Sequence, residues 1–173
     1  MDFTRKLPIG IQDFEKLRAN GFLYVDKTEY LYRLVNEGTV YFLGRPRRFG
    51  KSLLLSTLKA YFEGKRELFT GLAIEKFERN WTPRPVIHID FNSGPYTDFA
   101  SFKTSLEGIL YRLEKKWGRD EGEINPSDRF LGVIRRAAET SGQKAVVLID
   151  EYDKPLLAHI EAGQVQEDIR AAL

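Results

Sequence analysis

The stretch that most constrains the fold is Arg45-Pro-Arg-Arg-Phe-Gly-Lys-Ser52, because of what flanks it. An apolar run, Val40-Tyr-Phe-Leu43, precedes it, and an amphipathic stretch, Leu53-Leu-Leu-Ser-Thr-Leu-Lys-Ala-Tyr-Phe62, follows. Strand, loop and helix in that order are the setting of a phosphate-binding P-loop. Successive backbone N–H groups in such a loop, with the helix N-terminus, form a positively polarised cup for phosphate oxygens. Gly50 lets the backbone approach the anion without a side chain in the way. Lys51 can bridge the β- and γ-phosphates, and the Ser52 hydroxyl can ligate Mg²⁺. The usual pattern, G-x-x-x-x-G-K-[ST], has glycine where this chain has Arg45, and Gly44 lies one residue too early. Gly-Lys-Ser alone favours a basic surface turn. The flanking strand and helix and a second motif downstream favour the nucleotide site.

That second motif is Lys144-Ala-Val-Val-Leu-Ile-Asp-Glu-Tyr-Asp153. The apolar run Val146 to Ile149 suits a strand buried on both faces of a parallel sheet. Asp150 and Glu151 then emerge at its C-terminal end, where open α/β sheets bind ligands. This is the pattern of a Walker B element: Asp150 would hold Mg²⁺, and Glu151 would polarise the water that attacks the γ-phosphate. A strand ending in a solvated acidic turn is the plain alternative.

The chain resembles the AAA-ATPase-like family of bacterial and archaeal proteins. The residues that carry the resemblance are Leu7-Pro-Ile-Gly-Ile-Gln-Asp-Phe-Glu15, Tyr24-Val-Asp-Lys-Thr28, Tyr41-Phe-Leu-Gly-Arg-Pro-Arg-Arg-Phe-Gly-Lys-Ser-Leu-Leu54 and Val147-Leu-Ile-Asp-Glu-Tyr-Asp-Lys-Pro155. The family accepts arginine where the strict loop pattern has glycine, so Arg45 fits it. The resemblance implies a three-layer α/β/α P-loop NTPase fold with a mainly parallel sheet. It also implies ATP and Mg²⁺ as ligands and, in many members, a C-terminal nuclease-like domain. The candidate nucleotide-binding residues are Arg45, Pro46, Arg47, Arg48, Phe49, Gly50, Lys51, Ser52 and Leu53. Lys51 and Glu151 are the catalytic candidates, and Ser52 and Asp150 the Mg²⁺ ligands.

Composition agrees with one domain over residues 1–173, with an N-terminal helical, adenine-side segment to residue 38 and a P-loop core from residue 39 through the Walker B strand. A chain of this length buries about 70% of the surface its unfolded form exposes. At 42% hydrophobic and 30% charged it has neither a disordered nor a membrane profile. No apolar run reaches a membrane span, and the N-terminus Met1-Asp-Phe-Thr-Arg-Lys-Leu-Pro8 lacks a signal-peptide core. The absence of cysteine excludes disulfides and thiolate metal sites and fits a cytoplasmic location. A net charge of +2 is too small to argue for nucleic acid as a partner.

The coarse pattern alternates α and β. Helices are expected over Asp13 to Asn20, Lys27 to Glu37 (ended by Gly38), Ser52 to Glu63 and, weakly patterned, Arg66 to Phe77. Phe22 to Val25 reads as extended and Thr39 to Leu43 as the P-loop strand. Val86-Ile-His-Ile-Asp-Phe91 and Ala145 to Ile149 are further strands. Apolar residues at Phe99, Phe102, Leu106, Leu110, Leu113 and Trp117 mark a long helix. Asn125-Pro126 breaks it, Ser127 is the expected N-cap of a helix running to Thr140, and Pro155 fits the first turn of a last one. His88 is expected as a satisfied core histidine and His159 on an exposed helix. Asp90 is a candidate for orienting water. Tyr24 and Val25 are candidates for the adenine, with ordinary packing as the alternative.

Two functional classes stay open: an ATPase that couples hydrolysis to conformational change, controlling an attached nuclease-like domain, and a nucleotide-gated switch with little turnover. Glu151 favours the first. A P-loop ATPase with a glutamate beside the Walker B aspartate normally adds a later sensor strand. Tyr152 to Leu173 reads as helix and loop, with Gln164 to Leu173 helical and uncapped. The sheet is therefore expected to be incomplete at the C-terminus, with self-association through open edges.

Overall fold

A computed structural model describes residues 6–46, 48–94 and 96–157. Arg47, Pro95, His159 and the helical pattern at Gln164 to Leu173 lie outside them. The chain divides into two compact units, Met1–Arg84 and Pro85–Leu173.

The first unit is helical. Helix α1 (Phe14–Ala19) is capped by the Asp13 carboxylate, which accepts from the Lys16 N–H at 2.7 Å. It buries Phe14 and Leu17 completely. Helix α2 (Thr28–Glu37) follows the Tyr24-Val-Asp-Lys segment, and α3 (Lys51–Phe62) follows the arginine-rich loop. Where one weak helix was expected over Arg66 to Phe77 there are two 3₁₀ turns, Arg66–Phe69 and Ala73–Lys76. Gly71 between them has φ +77°, a conformation glycine takes without penalty and one that ends a helix. An aromatic cluster forms the core: Phe14 on Phe69 (4.9 Å between centroids), Phe69 on Trp81 (5.1 Å) and Tyr61 on Trp81 (5.8 Å).

The expected strand at Thr39 to Leu43 is not formed. These residues have no ladder among the described residues, and Val40 is 90% and Phe42 75% exposed. The reason is that a strand is defined by its partner: apolar residues of high β-propensity stay as coil until a neighbouring strand takes their N–H and C=O groups.

The second unit is a parallel pair of strands covered by a helical hairpin. Strands β1 (Val86–Asp90) and β2 (Val146–Asp150) pair from Val86↔Val146 through Asp90↔Asp150. Helix α4 (Phe99–Trp117) starts with a capping box between Asp98 and Ser101. Helix α5 (Pro126–Ser141) is capped by Asn125, whose Oδ1 accepts from the Asp128 N–H at 2.8 Å, and not by Ser127. Proline at the first helical position places the cap one residue before it. Ile87, Ile89, Phe102, Ile109, Val133 and Ala137 form the shared core. Two largely covered side chains pin the hairpin: Arg129 makes a two-pronged contact with Glu114, Nε to Oε1 at 2.6 Å and Nη2 to Oε2 at 3.0 Å. Helix α6 (Lys154–Leu157) carries the buried Pro155 in its first turn.

Two expectations for the strands are corrected. His88 is exposed, because the burial alternates along β1 and places Ile87 and Ile89 on the covered face. Ile149 is also exposed, so β2 is not buried on both of its faces. Alternation turns His88 away from the helical layer that covers Ile87 and Ile89. Ile149 shares the face of its ladder partner Ile89 and is exposed there all the same. The two strands begin and end together, which brings the sequence-distant Asp90 and Asp150 to one edge of the sheet.

Candidate functional site

In the first unit the expected phosphate loop is a sharp turn running straight into α3. Arg48 has φ +68° and Gly50 φ +75°, and Gly50 is the N-cap of the helix. No side chain caps this end among the described residues. The N–H groups of Lys51, Ser52 and Leu53 therefore have no intrahelical partner, at the positive end of a helix of twelve residues. Lys51, Ser52 and Leu53 are half-buried, whereas Arg45, Pro46, Arg48 and Phe49 are exposed. Helix α3 is held from below. Ser56 Oγ accepts from the Phe14 N–H at 3.0 Å, and its own hydrogen lies between the carbonyls of Leu53 (2.9 Å) and Gln12 (3.1 Å). The segment Leu7 to Glu15 is thereby tied to the helix that begins at Lys51.

The Tyr24 to Thr28 segment has a structural role in the same unit. Tyr24 sets its ring edge against Phe14 at 5.2 Å. Burial pushes its hydroxyl pKa up, against an opposing hydrogen bond with Thr57. Asp26 accepts from the Thr28 N–H (2.8 Å), the Thr28 hydroxyl (2.7 Å) and, through its other oxygen, the Ala73 N–H (2.7 Å). The Thr28 hydroxyl in turn accepts from the Ile74 N–H at 3.1 Å. Burial raises the Asp26 carboxyl, but the donors from Thr28 and Ala73 outweigh it and hold the pKa below its ordinary value. These bonds cap the turn at Ala73–Lys76. Tyr24 is thus a packing residue, while Val25 is exposed.

In the second unit Asp150 and Glu151 stand at the C-terminal end of β2. Asp150 is buried, and its Oδ1 accepts from the Glu151 N–H at 3.0 Å. Glu151 has φ +53°, a left-handed backbone that costs a non-glycine residue about 1 kcal/mol or more. Its carbonyl accepts from the Lys154 N–H at 3.0 Å. Asp90, in register with Asp150, accepts from the Asn92 N–H at 2.7 Å and so closes the turn after β1. A groove of about 190 Å³ opens beside it, lined among others by Asp90, Tyr96, Ser105 and Arg112. Burial, and after it the Asp90 charge, pushes the Tyr96 hydroxyl up.

Each unit thus brings together its own part of the expected set: Arg45, Pro46, Arg48, Phe49, Gly50, Lys51, Ser52 and Leu53 in one, Asp150 and Glu151 in the other. Arg47 lies outside the described residues. The motif reading passed over Asn92 and Lys154, which join the acidic edge through a hydrogen bond from Lys154 Nζ to Asn92 Oδ1 at 2.7 Å. The signal was a lysine three residues after Glu151, within reach of a loop that ends the paired strand. No helix among the described residues is long and apolar enough to cross a membrane.

A family model described as "Predicted AAA-ATPase" matches residues 8–173. The uncharacterized protein in the vnfD 5' region of Azotobacter chroococcum mcd 1 is 40% identical over 171 residues, 98% of this chain and 33% of that protein. The chain therefore spans about a third of the length of this relative. No solved structure matches the chain. With a mixed α/β fold, a parallel strand pair and the loop and acidic edge in the expected order, the chain belongs to the AAA-ATPase-like family.

Proposed function

We propose that this chain is the ATP-binding part of a Mg²⁺-dependent ATPase of the P-loop type. The observation that carries the reading is the uncapped N-terminus of α3 behind the left-handed Gly50. The N–H groups of Lys51, Ser52 and Leu53, which have no intrahelical partner, together with an ammonium and a hydroxyl on the first two helical residues, make a donor set suited to a polyphosphate. Lys51 and Ser52 belong to the first unit and Asp150 and Glu151 to the second. In this reading Lys51 binds the β- and γ-phosphates, the Ser52 hydroxyl and the Asp150 carboxylate are the Mg²⁺ ligands, and the exposed Arg45 and Arg48 add positive charge. Bound Mg²⁺ supplies charge neutralisation at the β- and γ-phosphate oxygens. Glu151 accepts the proton of the attacking water.

The three-layer P-loop architecture belongs to the same proposal, supported by the parallel β1–β2 pair and its helical cover. So does the coupling of hydrolysis to a conformational change that controls a nuclease-like domain. A nucleic acid partner would follow from that role, and self-association from open edges of the sheet.

The test separates binding from chemistry. Glu151→Gln in the full-length natural protein should keep its affinity for Mg-ATP and lose most of its turnover, because an amide cannot take the proton. Asp150→Asn should weaken the dependence on Mg²⁺ as well. An equal loss of nucleotide affinity in both variants contradicts this division of roles. Binding without turnover in the wild type makes the protein a nucleotide-gated switch.

A further inference from the structure

We infer that Lys154, acting with Asn92, is the positioning residue for Glu151, and the inference rests on the hydrolytic reading above. Among the described residues no hydrogen bond or ion pair holds the Glu151 carboxylate. The backbone that carries it sits in the left-handed region at φ +53°, which fixes where the side chain starts. Such a conformation persists in a non-glycine residue only where the surroundings over-determine it.

The surroundings form a closed ring. The Glu151 N–H donates to Asp150 Oδ1 at 3.0 Å, and the Glu151 carbonyl accepts from the Lys154 N–H at 3.0 Å. The Lys154 ammonium reaches across to the neighbouring strand's exit loop, where it donates to Asn92 Oδ1 at 2.7 Å and to the Asn92 carbonyl. The Asn92 N–H donates to Asp90 Oδ1 at 2.7 Å, and Asp90 is the ladder partner of Asp150. The ring starts and ends on one rung of the sheet. Lys154 is its only long bridge, a cation satisfying two oxygens at once, and such charge-assisted bonds are roughly twice as strong as neutral ones. Pro155 follows at once and is fully buried, which fixes the chain on the far side of the lysine. Glu151 is thus clamped from both sides by backbone bonds, and Lys154 ties the clamp to β1. Without the tether the turn is free to leave its left-handed state, and a general base displaced by about 1 Å loses on the order of 10²-fold in rate.

The experiment is steady-state Mg-ATP hydrolysis by the full-length natural protein, with Lys154→Ala, Lys154→Arg and Asn92→Ala, beside amide hydrogen exchange of residues 150–154. The expected result for Lys154→Ala is a fall in kcat on the order of 10²-fold with KM for Mg-ATP unchanged. The Glu151 and Lys154 amides should lose protection while α4 and α5 keep theirs. Lys154→Arg, which can still donate to both Asn92 oxygens, should recover most of the rate, and Asn92→Ala should fall between. A kcat equal to wild type in Lys154→Ala, or unchanged exchange at Glu151, overturns the positioning role and leaves the ATPase reading standing. A wild-type protein that binds Mg-ATP without turnover overturns the hydrolytic reading and this role with it.

Discussion

The loop at Arg45–Gly50 and the edge at Asp150–Glu151 carry the same kind of sequence signal, a short apolar run ending in chemistry. Only one of the two runs is a strand. Val146–Asp150 has the ladder of β1 beside it and the α4–α5 hairpin over one face, so its carboxylates are placed by the sheet. Val40 to Leu43 has no ladder among the described residues, and Val40, Tyr41 and Phe42 are exposed. Yet the loop after it is shaped, because a helix N-terminus needs only its own residues and a non-helical residue before it, here the left-handed Gly50. The comparison separates two ways of building a site. An acidic edge depends on contacts distant in sequence, whereas an anion cup at a helix start is nearly local.

That difference can be broken at several points, beginning with the largest effect. Ile87→Ala, at a fully buried position of β1, should cost about 3 kcal/mol by chemical denaturation, since it removes core contacts and leaves a cavity. If the loss is below about 1 kcal/mol, the sheet is not what holds the acidic edge. A middle-sized effect is expected at Asp26, where Asp26→Ala should cost about 1 kcal/mol by removing the cap of the Ala73–Lys76 turn. The Asp26 pKa is lowered on folding, so its contribution is fully present above the ordinary carboxylate value. It disappears as pH falls through the lowered, folded-state value. The gap between wild type and variant should therefore be full at neutral pH and close on acidification. A gap that widens in acid reverses the assignment. The smallest effect is expected for Val40→Ala, within about 0.5 kcal/mol, because this side chain is 90% exposed. A cost like that of Ile87→Ala would mean that the segment is packed after all.

Legibility in the sequence followed the same division. Helix ends were readable to within a residue or two because caps are local: Gly38 marks the end expected of α2, and the helices expected from Asp13 and Ser52 start at Phe14 and Lys51. The long helix, by contrast, ends at Trp117 before Gly118 rather than at Asn125-Pro126, and the next is capped by Asn125 rather than Ser127. Strands Val86–Asp90 and Val146–Asp150 were readable from β-branched runs bounded by proline and by acidic residues. Their burial was not, since which face is covered depends on where α4 and α5 pack: His88 falls on the face opposite Ile87 and Ile89, while Ile149 is exposed although it shares the face of its ladder partner Ile89. Thr39 to Leu43 had every residue preference of a strand, but residue preference does not supply a neighbour. For the candidate site, Gly50, Lys51, Asp150 and Glu151 announced themselves by motif. The meeting of Asn92 with Lys154 did not, because it spans sixty-two positions and depends on the strand register. The Asp26 cap escaped for the same reason, as its partner at Ala73 is forty-seven positions away.

The central claim is that the start of α3 is a polyphosphate site, and calorimetric titration of Mg-ATP into the wild type and Lys51→Ala tests it most directly. Lysine is the one full charge the site offers inside the helix, and a charge-assisted bond contributes about 1.5–3 kcal/mol. The account predicts saturable binding by the wild type and an affinity at least about 10-fold weaker in Lys51→Ala, with unchanged far-ultraviolet circular dichroism. Equal affinity in the two proteins, or no Mg-ATP binding by a folded wild type, would contradict it.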